Sequence, residues 1–211
     1  MAEYSSDEER FSAVINFFKD YKLIILSSLA VTFISIVSIT SYQSYNESRS
    51  SKAAMIYDSW LSELESKNES SKETFNKLQD TFAGTGYAQL ARMLNGSNLA
   101  RQGNLEDALL NFERLADETS GFFGNKMLNS ISKINIARIE LSKKNYTNVL
   151  NVLDSFASNN EHSMVYEIKG DALLGLKNAE LAIEQYKLAI DNAREESQKS
   201  ILNIKINSIQ L

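Results

Sequence analysis

The chain has 211 residues, with 27 acidic and 22 basic side chains and a formal net charge of −5 at pH 7. It has no cysteine, no proline and one histidine, His162. This excludes disulfide frameworks, cysteine-ligated metals, thiol nucleophiles and multi-histidine centres. The charge balance argues against a broad basic surface for nucleic acid, and a chain without proline can run in long uninterrupted helices.

Residues 1–22 read as a short helix that leads into an apolar stretch. Ser6 and Glu9 have the spacing of a capping box, and Asp7, Glu8 and Glu9 suit the positive end of a helix dipole. Phe11, Val14, Ile15 and Phe18 then recur at i, i+3, i+4 and i+7, an apolar stripe for a membrane surface, a partner or a simple entry segment.

No residue from Leu23 to Asn46 is charged, a run of 24. Leu23–Thr40 has twelve apolar positions, and the other six are Ser or Thr, whose hydroxyls can bond back to carbonyls of their own helix. Residues 23–42 would make a helix of about 30 Å, the thickness of a bilayer's hydrocarbon core. Tyr21, Tyr42 and Tyr45 lie where an interfacial aromatic belt belongs. The run is too long for a signal-peptide core and lacks an Ala-x-Ala site, so it reads as a single membrane span. Lys19 and Lys22 precede it and Glu47 follows, a slight bias toward a cytoplasmic N-terminus. Ser28, Thr32 and Ser35 share one helix face at i, i+4 and i+7, small enough to admit a neighbouring transmembrane helix.

Residues 43–211 form the remaining domain, with 19 basic and 22 acidic residues from Glu47 onward. Breaks fall at Lys67–Ser71, Gly84–Gly86, Arg101–Asn104, Ser120–Gly124, Lys143–Asn145, Ser158–Asn160 and Gly175–Asn178. The segments between them have helical period and ordinary helix length. The tail is ambiguous, since Leu202, Ile204 and Ile206 alternate as a strand would; with no second strand to pair with, it is assigned helix. Trp60 is expected to centre a core with Leu61, Leu64, Phe75, Leu78 and Phe82.

Two stretches repeat. Gly96, Leu99, Ala108 and Phe112 share the offsets +3, +12 and +16 with Gly170, Leu173, Ala182 and Tyr186. Between them Ala137, Tyr146, Val149, Leu153 and Phe156 make a degenerate copy with Glu140 at an apolar position. A small residue on one helix, an alanine on the next and an aromatic beneath is the tetratricopeptide pattern. The expected fold is therefore all-α: one N-terminal transmembrane helix followed by a tetratricopeptide-like helical-hairpin solenoid. No repeat ends in proline, and Ala108 and Val149 are 41 apart, so Gly121–Gly124 is expected to be an insertion or part of a lengthened first helix. Gly170 and Ala182 should form the close contact of the last pair, with Ile201, Leu202, Ile206 and Ile209 capping its apolar surface.

In such a solenoid the first helices line the inner face. Counted from Gln89, Ser130 and Ser163, the groove presents Leu90, Met93 and Arg101, then Ile134, Arg138 and Leu141, then Glu167, Asp171 and Leu174. A mixed apolar and charged lining suits extended polypeptide, and Met93 and Met164 add adaptable surface. His162 sits at a helix start and reads as an exposed polar residue. No phosphate loop, nucleophile elbow or paired catalytic acids stand out, so neither an enzyme nor a cofactor is expected.

The chain resembles the YfgM family, ancillary subunits of the bacterial SecYEG translocon. The likeness is carried by Ala13-Val-Ile-Asn-Phe-Phe18, Tyr87-Ala-Gln-Leu-Ala91, Leu115-Ala-Asp117, Asn135-Ile-Ala-Arg138, Lys169-Gly-Asp-Ala-Leu-Leu174 and Ile204-Lys-Ile-Asn207. The resemblance implies a single-pass protein of the bacterial inner membrane with its N-terminus cytoplasmic and its repeat domain periplasmic. It also implies partnership with SecYEG, with the membrane-anchored chaperone PpiD and with unfolded secreted polypeptides passed on to periplasmic chaperones. A response regulator on the cytoplasmic side is a further implied partner, and lipid surrounds the span. Two other readings stay open, a repeat scaffold for envelope assembly unrelated to translocation and a signal-anchored envelope enzyme.

Overall fold

Helical periodicity becomes helix along the chain. The computed structural model describes residues 7–154, 156 and 162–210; Ser6 of the expected capping box and the break at Ser158–Asn160 lie outside them. Among the described residues are nine helices and no strand: α1 (Asp7–Glu65), α2 (Ser71–Phe82), α3 (Gly86–Arg101), α4 (Leu105–Glu118), α5 (Lys126–Ser142), α6 (Tyr146–Asp154), α7 (Ser163–Gly175), α8 (Ala179–Asp191) and α9 (Glu196–Gln210). The ambiguous tail is thus helical.

The expected entry helix and span belong to one helix, α1, with 59 residues. Neither glycine nor proline interrupts it. Its hydroxyls bond backward, Thr32 to the Ser28 carbonyl at 2.9 Å, Ser35 to Val31 at 2.8 Å and Thr40 to Ile36 at 2.9 Å, which leaves their donors satisfied in an apolar medium. The helix is long and apolar enough to cross a membrane; its most apolar window has a mean hydropathy of 2.3 and none of it is buried, unlike the core helix of a soluble protein. The chain divides into two compact units, Met1–Lys52 and Ala53–Leu211. The sequence reading began the second domain at residue 43; residues 43–52 are helical and mostly exposed.

In the second unit, helices pack as successive antiparallel hairpins. Three turns within hairpins share one construction. Gly103 (φ 81°), Lys144 (φ 63°) and Lys177 (φ 63°) are left-handed, and each is followed by an asparagine whose N–H donates to the carbonyl five residues back: Asn104 to Leu99, Asn145 to Glu140 and Asn178 to Leu173. This is a Schellman closure, with the asparagine also opening the next helix. It explains Glu140. Buried at the Leu99 and Leu173 position, its carboxylate accepts from the Asn145 side chain at 2.7 Å, so the polar group is satisfied.

The Gly121–Gly124 segment is a loop, because α5 starts only at Lys126. It holds Phe122 and Phe123 in solvent, 91% and 97% exposed.

Apolar faces meet in four clusters along the array. Trp60, Leu78 and Phe82 pack with Ala88 and Ala91, joined by Leu61, Leu64 and Phe75 as expected. Next come Ala108 and Phe112 with Ile136 and Ile139, then Ala137, Val149 and Leu153 with Val165 and Ile168. The last contains Ala182, Tyr186 and Ala189 with Leu202 and Ile206 of α9. Ile209 packs at its edge, but Ile201 is 54% exposed and takes no part in the cap.

The repeated glycines meet the aromatics of the pattern rather than its alanines. A Cβ on Gly96 would lie 3.1 Å from Phe112 Cζ, and one on Gly170 would lie 2.6 Å from Tyr186 Cε1. Tyr186 is fully buried and its hydroxyl donates to Asp171 at 2.7 Å, so its ring cannot swing away. Gly170→Ala is expected to cost more than Gly96→Ala, with about 1–3 kcal/mol for the former; urea unfolding of both variants in detergent checks the order.

Candidate functional site

A cleft of about 510 Å³, termed the inner cleft below, is lined by α5, the start of α7, the α8–α9 turn and α9, and its volume is within the range of ligand-binding pockets. Ile131, Ile134 and Met164 make its apolar floor, and Arg138, Arg194 and His162 stand at its rim. Helical spacing explains α5's share, since Ile131, Ile134, Asn135 and Arg138 fall at i, i+3, i+4 and i+7. Val165, Ile168 and Ala172 of α7 turn to the core, which leaves Met164 toward the cleft. Ser163 at the start of α7 donates to the Ala189 carbonyl at 2.7 Å, so the wall formed by α7 is tied to α8.

Of the expected groove residues, Ile134 and Arg138 lie together in this cleft. Leu90 and Leu174 are each just over a third exposed, on α3 and α7. Met93 packs on the core between α3, α4 and α5, and Leu141 on the next. Arg101 is exposed in the last turn of α3.

Glu167 and Asp171 do something different from what the groove reading assigned them. Lys205 of α9 donates to Glu167 at 2.8 Å and to both Asp171 oxygens at 2.7 and 2.9 Å. Its ammonium also lies 5.5 Å from the Tyr186 ring centre. The two carboxylates therefore clamp the last helix rather than stand free for a partner. Burial pulls the Lys205 pKa down, but the hydrogen bonds and charges of Asp171 and Glu167 outweigh it and leave it raised. The Tyr186 phenol is raised by burial and by its bond to Asp171.

Both groups hold their protons more tightly folded than unfolded. Their contribution to stability is complete below about pH 10 and is lost as pH climbs past it toward the raised folded values. Melting temperature should therefore fall from about pH 10 upward, and less steeply in Tyr186→Phe; melts across that range check it.

Asn192, Arg194 and Gln198 also line the cleft, and the sequence reading missed them because it treated the tail purely as a cap. The signal was present in Arg194, a charged residue just before the cap's apolar stripe. Among the described residues, no group of three or more His, Asp or Glu could hold a metal ion.

The profile of the tetratricopeptide repeat-like domain matches residues 16–211. Two curated relatives are each 25% identical over 124 residues, 59% of this chain. Both are named Ancillary SecYEG translocon subunit, from Buchnera aphidicola of Acyrthosiphon pisum (strain APS) and of Schizaphis graminum (strain Sg). The chain spans 62% of the length of each. Among solved structures, MamA (41-end) from Desulfovibrio magneticus RS-1 superposes with a TM-score of 0.56 at 18% identity, covering 75% of this chain and 88% of that one. That likeness speaks to the fold, which matches the hairpin array seen here. With its profile extending over nearly the whole sequence and its glycine–aromatic locks in place, the chain belongs to the tetratricopeptide repeat-like domain family.

Proposed function

We propose that this protein is a non-catalytic adaptor of the SecYEG translocon, anchored in the bacterial inner membrane by α1. Its repeat domain receives secreted polypeptides and helps pass them to periplasmic chaperones, with the membrane-anchored chaperone PpiD as a second partner. Residues 23–42 span the bilayer, residues 1–22 are cytoplasmic and residues 43–211 periplasmic. The response regulator implied by the resemblance would meet the cytoplasmic segment.

The observation that carries this reading is the similarity to two relatives named for the translocon. The exposed apolar stretch of α1 supports the anchor, and Lys19 and Lys22 before it support a cytoplasmic N-terminus. The inner cleft supports polypeptide binding, since an apolar floor with a polar rim accepts side chains of an extended segment.

The face of Ser28, Thr32 and Ser35 is the proposed contact with a translocon helix. Thr32 and Ser35 spend their protons on their own helix, so the gain there is close approach, plus acceptor oxygens toward a partner's donors. The full chain solubilised in mild detergent should co-purify with SecYEG. Replacing all three residues by Leu should reduce that recovery several-fold while the protein still resists carbonate extraction, because interhelical contacts of about 0.6 kcal/mol each are lost. A wild-type chain that does not co-purify with SecYEG would overturn the adaptor reading. Equal recovery of the variant would place this face against lipid.

A further inference from the structure

A second cleft, of about 610 Å³, is lined by α2, α3 and α4 together with Trp60 and Leu64 of α1. It shares no residue with the inner cleft. α2 packs on α3 far more sparsely than α4 packs on α5, and the gap is what opens the cleft.

Two polar side chains at its base are more than nine-tenths buried and incompletely bonded. Gln79 interrupts the apolar stripe of α2, four residues after Phe75 and one after Leu78. Its Nε2 donates to the Ala88 carbonyl at 2.9 Å. A carbonyl can only accept, which fixes the amide's orientation and leaves Oε1 buried without a donor. Arg92 lies one turn further along α3 from Ala88. Its Nη2 pairs with Glu118 at 2.9 Å, and its Nε–H is buried without an acceptor. The acceptor on Gln79 and the donor on Arg92 each carry a desolvation cost that only a partner removes.

Above them the walls carry Asn76, Asn98 and Gln102, whose carboxamides make no hydrogen bond among the described residues. A carboxamide presents one donor edge and one acceptor edge, the complement of a peptide group. Both signs of charge line the cleft, as Asp80 and Asp107 against Lys72 and Arg114, so neither a polyanion nor a polycation is favoured. Trp60 is 1% exposed and offers no open ring face for a sugar. Leu64, Leu99 and Leu110 supply apolar wells between the amides.

We propose that this outer cleft binds the main chain of an extended polypeptide, with Gln79 Oε1 accepting a peptide N–H and Arg92 Nε donating to a peptide carbonyl. The proposal rests on the reading that the repeat domain receives unfolded chains. It adds a second contact for the same chain, one that reads backbone rather than side chains and therefore suits clients of varied sequence.

The test uses the full chain in detergent and fluorescence anisotropy with two probes, a short fluorescein-labelled Ser/Val peptide and the same peptide N-methylated at alternate amides. Two variants accompany it. Gln79→Met removes the buried acceptor at nearly constant volume. The pair Asn98→Ala with Gln102→Ala removes wall amides that bond nothing, so it leaves the packing intact should the first variant misfold. The unmethylated probe should bind wild type about tenfold more tightly than the methylated one, and each variant should abolish most of that difference. Ile134→Ala, in the inner cleft, should leave the difference in place. Binding by wild type that is indifferent to methylation and to both variants would show a merely hydrated outer cleft and overturn this proposal, leaving polypeptide reception standing. Failure of wild type to bind either probe would overturn polypeptide reception and the outer site with it, while SecYEG association is decided separately by co-purification.

Discussion

A chain stopped after Arg194 is expected to melt far below the full protein, or to aggregate. The deletion removes α9, whose Leu202 is fully buried and whose Ile206 is nearly so. Each side chain contributes roughly 1.5–3 kcal/mol when buried, so the pair accounts for about 3–6 kcal/mol of a typical margin of 5–15. Two further costs follow. Tyr186 and Ala189, now at 0% exposure, lose the cover that Leu202 and Ile206 of α9 provide, and a terminal repeat without its cap exposes apolar surface. Asp171 and Glu167 also lose Lys205 and are left as neighbouring like charges one turn apart on α7. Differential scanning fluorimetry of the two chains in the same detergent reads the result. A truncated chain that melts with the parent would mean that α9 does not hold the last hairpin.

Trp60→Ala should have the next largest effect, about 3–5 kcal/mol, because a large buried aromatic leaves a cavity that neighbours fill only in part. Trp60 is 1% exposed and lies with ring centres 5.8 Å from Tyr57 and 5.6 Å from Phe75. It is thus the hub between α1 and α2. In a linear repeat array each unit touches only its neighbours, so the damage should stay at that end. Hydrogen exchange should accelerate in α2 while α7 and α8, locked by Tyr186, keep their protection. Uniform acceleration across all helices would contradict the linear description. The same variant would enlarge the outer cleft that Trp60 borders, which is why that site is probed with substitutions away from the aromatic hub.

The helix-by-helix layout was legible in the sequence because its causes are local. Hydropathy period placed the helices, Gly–Asn and Lys–Asn breaks placed the turns between them, and an uncharged run of 24 residues marked the apolar stretch of α1. The offsets from Gly96 to Phe112 and from Gly170 to Tyr186 marked the packing locks, since a ring can lie against a helix only where no Cβ stands. Even so, the sequence paired each glycine with an alanine, and geometry paired it with the ring. Charges were not legible in this way. Arg138 and Asp171 read alike as groove residues, yet Arg138 rims a cleft while Asp171 is held by Lys205, 34 residues away. Nor could Gln79 be told from an ordinary surface glutamine, or Arg92 from a surface arginine. Periodicity states which face a residue occupies; whether that face meets solvent, a core or another helix's charge depends on where α9 and α4 land. Local sequence therefore determined the helices, their ends and their repeat, and only the tertiary structure decided which polar groups are spent on holding the fold and which remain to bind.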